Sequence, residues 1–204
     1  MPLATLNPIR VTEQAHELAA AVLQPGDIAI DATAGKGRDT AFLANIVSST
    51  GQVHAFDVQA EAVQSTQNLL QVSGLSSQVT LHHRSHAEMR AAIPKELWGQ
   101  VSVVIFNCGY LPGSNQKITT QSGSTAAALE AAYEMLKPTG RIVCVAYTGH
   151  PGGQEESSLI HLFADRCQAR GDSVEKINYH PNFARPWILV VTRNPNHATT
   201  KLSN

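Results

Sequence analysis

The chain has 204 residues, a hydrophobic fraction of 43% and a formal net charge of −1. That length suits one domain with a real core, and the composition is that of a globular protein rather than a disordered one. No apolar run approaches the roughly 18 residues needed to cross a bilayer, so a membrane-spanning role is not expected. The near-neutral charge argues against gripping long duplex nucleic acid over the whole surface and leaves room only for a local basic patch.

The first ten residues lack the charged-then-apolar pattern of a secretory signal, so a cytoplasmic location is expected. Cys108, Cys144 and Cys167 are odd in number and lack paired spacing, which argues against a disulfide framework. Two of them lie in apolar strand-like runs and should pack as small hydrophobes.

In chain order, residues 12–23 read as a helix from the apolar stripe Ala15, Leu18, Ala19, Val22 and Leu23, with Thr12 as its cap. After the turn at residues 24–27, Ile28–Ile30 is a short strand ending at Asp31. Arg38–Val47 is a helix, and Gln52–Phe56 a strand ending at Asp57. Ala60–Val72 is a helix closed by Gly74. Val79–His83 is a strand, Ala87–Ile93 a short helix, and Val101–Phe106 a strongly apolar strand ending at Asn107. Ser124–Leu136 is a helix stopped by Lys137-Pro138-Thr139-Gly140, and Arg141–Tyr147 is a strand. Glu155–Arg170 is a helix stopped by Gly171. Val174–Tyr179 and Trp187–Thr192 are the last strands, and residues 194–204 form a polar tail.

Alternating strands and helices predict a single α/β domain with a largely parallel sheet. Residues 180–186 are too few for a parallel crossover, which takes about a dozen, so the last strand must run antiparallel to its predecessor. Seven strands with a final antiparallel hairpin, and helices on both faces, is the class I methyltransferase arrangement, although other doubly wound folds share much of it.

Ligands of doubly wound sheets sit beyond the carboxyl ends of strands, where the strand order reverses. The first strand ends in Asp31-Ala32-Thr33-Ala34-Gly35-Lys36-Gly37. Gly35 and Gly37 allow a tight turn and close approach of backbone to ligand, and the small residues Ala32, Thr33 and Ala34 keep the crevice open. A dinucleotide fingerprint needs a third glycine, and a P-loop needs a Gly-Lys-Ser/Thr ending. Neither is present. An acidic residue opening the loop suits a cationic, phosphate-free ligand such as S-adenosylmethionine. A ligand-free αβ turn is the bland alternative.

Asp57, ending the second strand, suits the two ribose hydroxyls of an adenosine, with Gln59 beside it; capping the following helix is its alternative role. Ser85 and His86 should flank the adenine. A metal site at His82, His83 and His86 lacks matching cysteines or carboxylates.

The fourth strand ends in Asn107-Cys108-Gly109-Tyr110-Leu111-Pro112-Gly113, which is similar to the Asn-Pro-Pro-Tyr motif of enzymes that methylate amino groups, though both prolines are missing. An Asn oxygen and a backbone carbonyl can accept the amine N–H bonds and direct the nitrogen lone pair, and Asn107 and Gly109 are also expected to touch the cofactor. Tyr110 can stack on a base. The alternative is an ordinary turn beyond a strand. After the fifth strand, His150 or Glu155 could take a proton from an ammonium; a structural His and an acidic first helical turn are the alternatives.

Taken together, DATAGKGRDTAFLA, FDVQAEAVQST, NCGYLPGSNQKITT, STAAALEAAYEML and YTGHPGGQEE resemble one small bacterial and plastid-lineage group known as rRNA methylases, over about residues 9–193. The resemblance implies a seven-stranded class I fold, S-adenosylmethionine as donor, and a homodimer. It further implies N-methylation of the aminomethyl group of wobble 5-aminomethyl-2-thiouridine in tRNA, with rRNA, a small-molecule amine or a non-catalytic adenosine-binding role as alternatives. A wobble base lies in a single-stranded loop, where flipping costs little. Lys36, Arg38, Arg84, Lys117 and Arg185 are the expected phosphate-binding patch; solvated surface charge is the alternative. Lys36 and Arg38 stand where the group usually has Asn or His, and the segment Gly113–Lys117 also departs from its commonest form. These differences bear on the substrate rather than on methyl transfer.

Overall fold

The computed structural model describes residues 8–108, 122–149, 152–178 and 185–196. Their elements are α1 (Pro8–Ala20), β1 (Ile28–Asp31), α2 (Arg38–Val47), β2 (Gln52–Asp57), α3 (Ala60–Val72), β3 (Val79–His83), α4 (Met89–Ala92), β4 (Val101–Cys108), α5 (Ser122–Met135), β5 (Leu136–Ala146), α6 (Gly153–Ala169), β6 (Ser173–Ile177) and β7 (Trp187–Thr192). The strands form one seven-stranded sheet in the order β3-β2-β1-β4-β5-β7-β6. Pairing is parallel from β3 through β5, and β7 is antiparallel to both β5 and β6. The return that the short 178–186 connection requires is therefore made by β7 entering between β5 and β6.

The chain lays β2 and β3 on one side of β1, then comes back to place β4 on the other. The strand order thus reverses between β1 and β4, and the ends of these strands open a crevice there. The central strands are apolar along their length because helices cover both faces. One core gathers Phe56, Phe106, Leu129, Phe163 and Trp187 under α4, α5 and α6. The other gathers Val11, Ala15, Ala19, Leu43, Val103 and Val145 under α1, α2 and α3.

Three local expectations are corrected. The first helix starts at Pro8, not Thr12, and ends at Ala20. Proline suits a first helical position because its missing N–H would have no partner there, so Thr12 is interior and not a cap. Leu23 still packs into the core, but from the turn that follows. The stop at Lys137–Gly140 is an interruption within β5. Leu136 pairs with Val101, and after a shift of register pairing resumes at Arg141 with Val103. Thr139, at φ 66°, donates its amide to the Arg193 carbonyl, and Lys137 Nζ reaches Asp27 at 2.8 Å. Finally, the helix expected at 87–93 is a 3-10 turn (His86–Glu88) followed by one α turn. The last residue of the expected sixth strand, Tyr179, lies outside the described residues.

Candidate active site

The loop after β1 is pinned from both sides. Ala32 N–H donates to the Ile105 carbonyl of β4 and Ala34 N–H to the Phe56 carbonyl of β2, each at 2.9 Å. Gly35 (φ 53°) and Gly37 (φ 80°) both occupy the left-handed region. At Gly37 there is a second demand. A Cβ there would stand 2.9 Å from Thr66 Cα and 3.0 Å from its side-chain atoms, so α3 backs directly onto the loop. Thr66 Oγ1 in turn donates to the Gly35 carbonyl at 3.2 Å.

Both loop-glycine amides are used internally. Gly37 N–H donates to the Ala34 carbonyl at 2.7 Å, and Gly35 N–H to Asp57 Oδ2 at 2.9 Å. Asp57 Oδ1 accepts from Gln59 N–H at 2.9 Å. The expected capping of α3 by Asp57 takes this form, since Gln59 itself is the N-cap residue and gives no side-chain cap. Asp57 is half-buried, and each carboxylate oxygen keeps a further lone pair for another donor. The exposed, apolar Val58 follows it.

Asp31 is buried, not at the mouth of the crevice as its position in the sequence implied. Its Oδ1 accepts Thr33 N–H at 3.0 Å and its Oδ2 accepts the Thr40 hydroxyl at 2.6 Å. Burial pushes its pKa up to about 7, and nearby Asp39 adds to the rise. Asp31 shapes the loop from beneath. Thr33 passes the order on, because its Oγ1 accepts the Asn107 backbone N–H at 2.8 Å and so ties the cofactor loop to the end of β4.

The Asn107 side chain is held by a residue that sequence reasoning missed. Asn107 Nδ2 donates to Asp39 Oδ2 at 3.2 Å, and His16 Nε2 donates to Asp39 Oδ1 at 2.7 Å. Asp39 is buried. In the sequence it reads as an acidic residue in the first turn of a helix, favourable to the dipole. Only the packing of α1 against α2 and β4 brings His16, Asp39 and Asn107 into line. Asn107 Oδ1 has no partner among the described residues.

His86 is buried below the loop. Its Nδ1–H donates to the Ala32 carbonyl at 3.0 Å, and Ser124 Oγ of α5 stands 3.4 Å from its Nε2. Burial lowers its pKa, so the ring is neutral and Nε2 accepts. Ser85 caps the 3-10 turn, accepting Ala87 N–H at 3.2 Å. His82 and His83 go elsewhere. His82 pairs with His54 at 3.1 Å, and His83 bonds the Val58 carbonyl at 3.1 Å.

In the first turn of α6 the expected Glu155 is exposed. Its neighbour Glu156 is the one turned inward, accepting the Thr125 hydroxyl at 2.6 Å. Successive helical residues point about 100° apart, so the sequence alone could not choose between them.

Lys36 and Arg38 after β1 and Arg84 after β3 are exposed. Arg185 is half-buried two residues before Trp187, which pairs with Ala146 at the end of β5. All four stand at the carboxyl edge of the parallel strands, and Thr148 Oγ1 donates to the Arg185 carbonyl at 3.2 Å. Gly109, Tyr110, Lys117 and His150 lie outside the described residues.

The arrangement is poorly suited to a phosphate. A phosphate site at a helix N-terminus uses free backbone amides. Here the two glycine amides are already bonded, and α2 carries Asp39 in its first turn. What the crevice offers is a half-buried carboxylate for hydroxyl groups, an exposed valine beside it, and an Asn carbonyl oxygen across from it.

A relative from Arabidopsis thaliana, "tRNA (mnm(5)s(2)U34)-methyltransferase, chloroplastic", is 41% identical over 162 residues, covering 76% of this chain and 58% of its own length. The chain thus spans less than two thirds of that protein. Among solved structures, a "putative rRNA-methylase" from Clostridium thermocellum is 30% identical with a TM-score of 0.82, covering 94% of this chain and 99% of its own. A "putative methyltransferase" from Streptococcus mutans, solved in complex with SAH, is 27% identical with a TM-score of 0.77, covering 93% and 99%. A family model matches residues 53–193, from β2 to the end of β7, and on that match the chain belongs to the family described as "Putative rRNA methylase".

Proposed function

We propose that the chain is an S-adenosylmethionine-dependent N-methyltransferase whose acceptor is the aminomethyl group of wobble 5-aminomethyl-2-thiouridine in tRNA. The observation that carries the donor is the state of the cofactor loop. Its glycine amides are bonded internally, which disfavours a phosphate, while Asp57 is fixed by Gly35 and Gln59 with lone pairs to spare for ribose hydroxyls. The SAH complex of the Streptococcus mutans protein supports the same donor. Asp57 and Gln59 would hold the ribose, Val58 and Ser85 would border the adenine, and the 33–37 loop would receive the methionine part.

When bound, the donor supplies an electrophilic methyl carbon on a positively charged sulfur. The chain has to orient the acceptor nitrogen in line with that carbon. Asn107 Oδ1 is the group for this, accepting one amine N–H so that the lone pair points at the methyl. An aliphatic amine is mostly protonated near neutral pH and must lose a proton first. His150, which follows β5, is the proposed acceptor of that proton; Glu155, being exposed, fits the role less well. Tyr110 would stack on the base. Lys36, Arg38 and Arg84, with Lys117 and Arg185, would hold the backbone of the RNA loop.

The Arabidopsis relative's name supports the tRNA acceptor; the family description favours rRNA instead. Incubation with labelled donor and tRNA bearing the aminomethyl nucleoside, followed by nucleoside mass spectrometry, separates them. Label appearing in rRNA and not at the wobble position would overturn the tRNA assignment. A homodimer and a cytoplasmic location complete the proposal, and light scattering of the purified protein tests the first.

A further inference from the structure

His16 lies on α1, outside the residues that the family model matches, and nothing in its sequence context marks it. The structure gives it two contacts. Its ring stacks on Phe42 of α2, centroids 3.8 Å apart and planes within 5°. Its Nε2–H donates to Asp39 Oδ1 at 2.7 Å. Asp39 is buried, and its other oxygen takes the Asn107 amide at 3.2 Å. Among the described residues, the titratable groups that face Asp39 are His16 from α1, Asp31 from β1 and Tyr147 beyond β5. Only His16 among them hydrogen-bonds its carboxylate.

A side-chain amide can present either its NH₂ or its oxygen to a neighbour. A carboxylate accepts only, so an ionised Asp39 forces the Asn107 NH₂ toward itself and the oxygen away. A buried carboxylate that loses one of two donors is costly, and it escapes the cost by moving toward other donors. Once Asp39 shifts out of its contact with Asn107, nothing holds the NH₂ group, which lets the amide turn over and face the amine with NH₂. Two donors would then oppose each other, and the nitrogen would lose its guide.

We propose that His16 is a positioning residue of the methyl-acceptor site, which acts through Asp39 to keep the Asn107 carbonyl oxygen facing the acceptor nitrogen. This deepens the proposed function and rests on its assignment of Asn107 to the acceptor side. It makes α1 a working part of the site and not only a cover for the sheet.

The test uses three variants of the full chain, with SAH affinity by calorimetry and kcat and KM on the aminomethyl tRNA. His16→Phe keeps an aromatic ring against Phe42 and drops the N–H. His16→Gln restores an N–H donor at a similar reach. Asn107→Ala removes the proposed guide itself. The expected result is a fall in kcat of about tenfold or more for His16→Phe, the scale of misplaced reacting groups. SAH affinity and KM should stay near wild type, with most of the kcat recovered in His16→Gln. Wild-type kcat in His16→Phe overturns the proposal. So does a His16→Gln no better than His16→Phe, or a loss of SAH affinity that parallels the loss of kcat, since either marks a merely structural role. Asn107→Ala keeps the two levels apart. If it turns over normally, the acceptor assignment falls and takes this inference with it. If it is inactive while His16→Phe is normal, only the inference falls.

Discussion

Gly37→Ala probes why the cofactor loop carries its second glycine. If the residue serves only close approach to a ligand, alanine should weaken donor binding and leave stability alone. The structure says otherwise. At φ 80° an L-residue is in the left-handed region, at a cost of about 1–2 kcal/mol. The new Cβ would also lie 2.9 Å from Thr66 Cα, a backbone atom of α3 that cannot rotate away, and 3.0 Å from Thr66 Cγ2 and Oγ1. Forcing such an approach adds about 1–3 kcal/mol. A loss of roughly 2–5 kcal/mol in urea unfolding is therefore expected, a large share of a typical domain's stability. Adding Thr66→Ala should recover only part of it, because the methyl and hydroxyl leave but the clash with the α3 backbone and the φ cost stay. Thr66→Ala also removes the bond to the Gly35 carbonyl, so the double variant should bind SAH more weakly than wild type. A Gly37→Ala protein with wild-type urea midpoint would refute the packing account, and so would full recovery in the double variant.

Asp57→Ala should raise the Kd for SAH by at least about tenfold in calorimetry, since one charge-assisted hydrogen bond is worth roughly 1.5–3 kcal/mol and 1.4 kcal/mol is a factor of ten. Unchanged affinity would mean the ribose lies elsewhere. Asp31 and His54 give opposite pH dependences. Asp31 has its folded pKa raised to about 7, so the folded state holds the extra proton and stability falls as pH rises from about 4 to about 7. His54 has its folded pKa lowered to about 4, chiefly by burial, so the unfolded state holds the extra proton and stability is lost as pH falls from about 6.5 to about 4. Difference curves of urea midpoint against pH should thus slope in opposite senses for Asp31→Asn and His54→Phe; slopes of one sign would contradict these environments. Neutralising Lys36, Arg38 and Arg84 should weaken RNA binding at every salt concentration and flatten the plot of log K against log salt by about 0.7 per lost phosphate contact. SAH affinity should stay as it was, and an unaltered salt slope would remove these residues from the RNA surface.

Much of the molecule could be read from the sequence because the signals are local. Period-2 and period-3.6 apolar runs bounded by Gly and Pro placed α2, α3, β3 and β7 at their observed limits, and the shortness of the expected 180–186 connection dictated an antiparallel return. Motif order likewise put Asp31, the glycines and Asp57 at strand ends, hence at one edge of a parallel sheet. What the sequence could not supply was which way each carboxylate turns and what it meets. Asp31 looked like the ligand's counter-charge and is instead buried, bonded to Thr33 and Thr40; Glu155, read as a candidate proton acceptor, is exposed, while its neighbour Glu156 is the one turned inward. Asp39 and His16 drew no notice at all, because their meaning lies in hydrogen bonds across 23 and 68 residues of chain that exist only once α1, α2 and β4 are packed together. Periodicity fixes the face of an element, but hydrogen bonds between elements depend on how those faces meet, and that is decided by the tertiary fold.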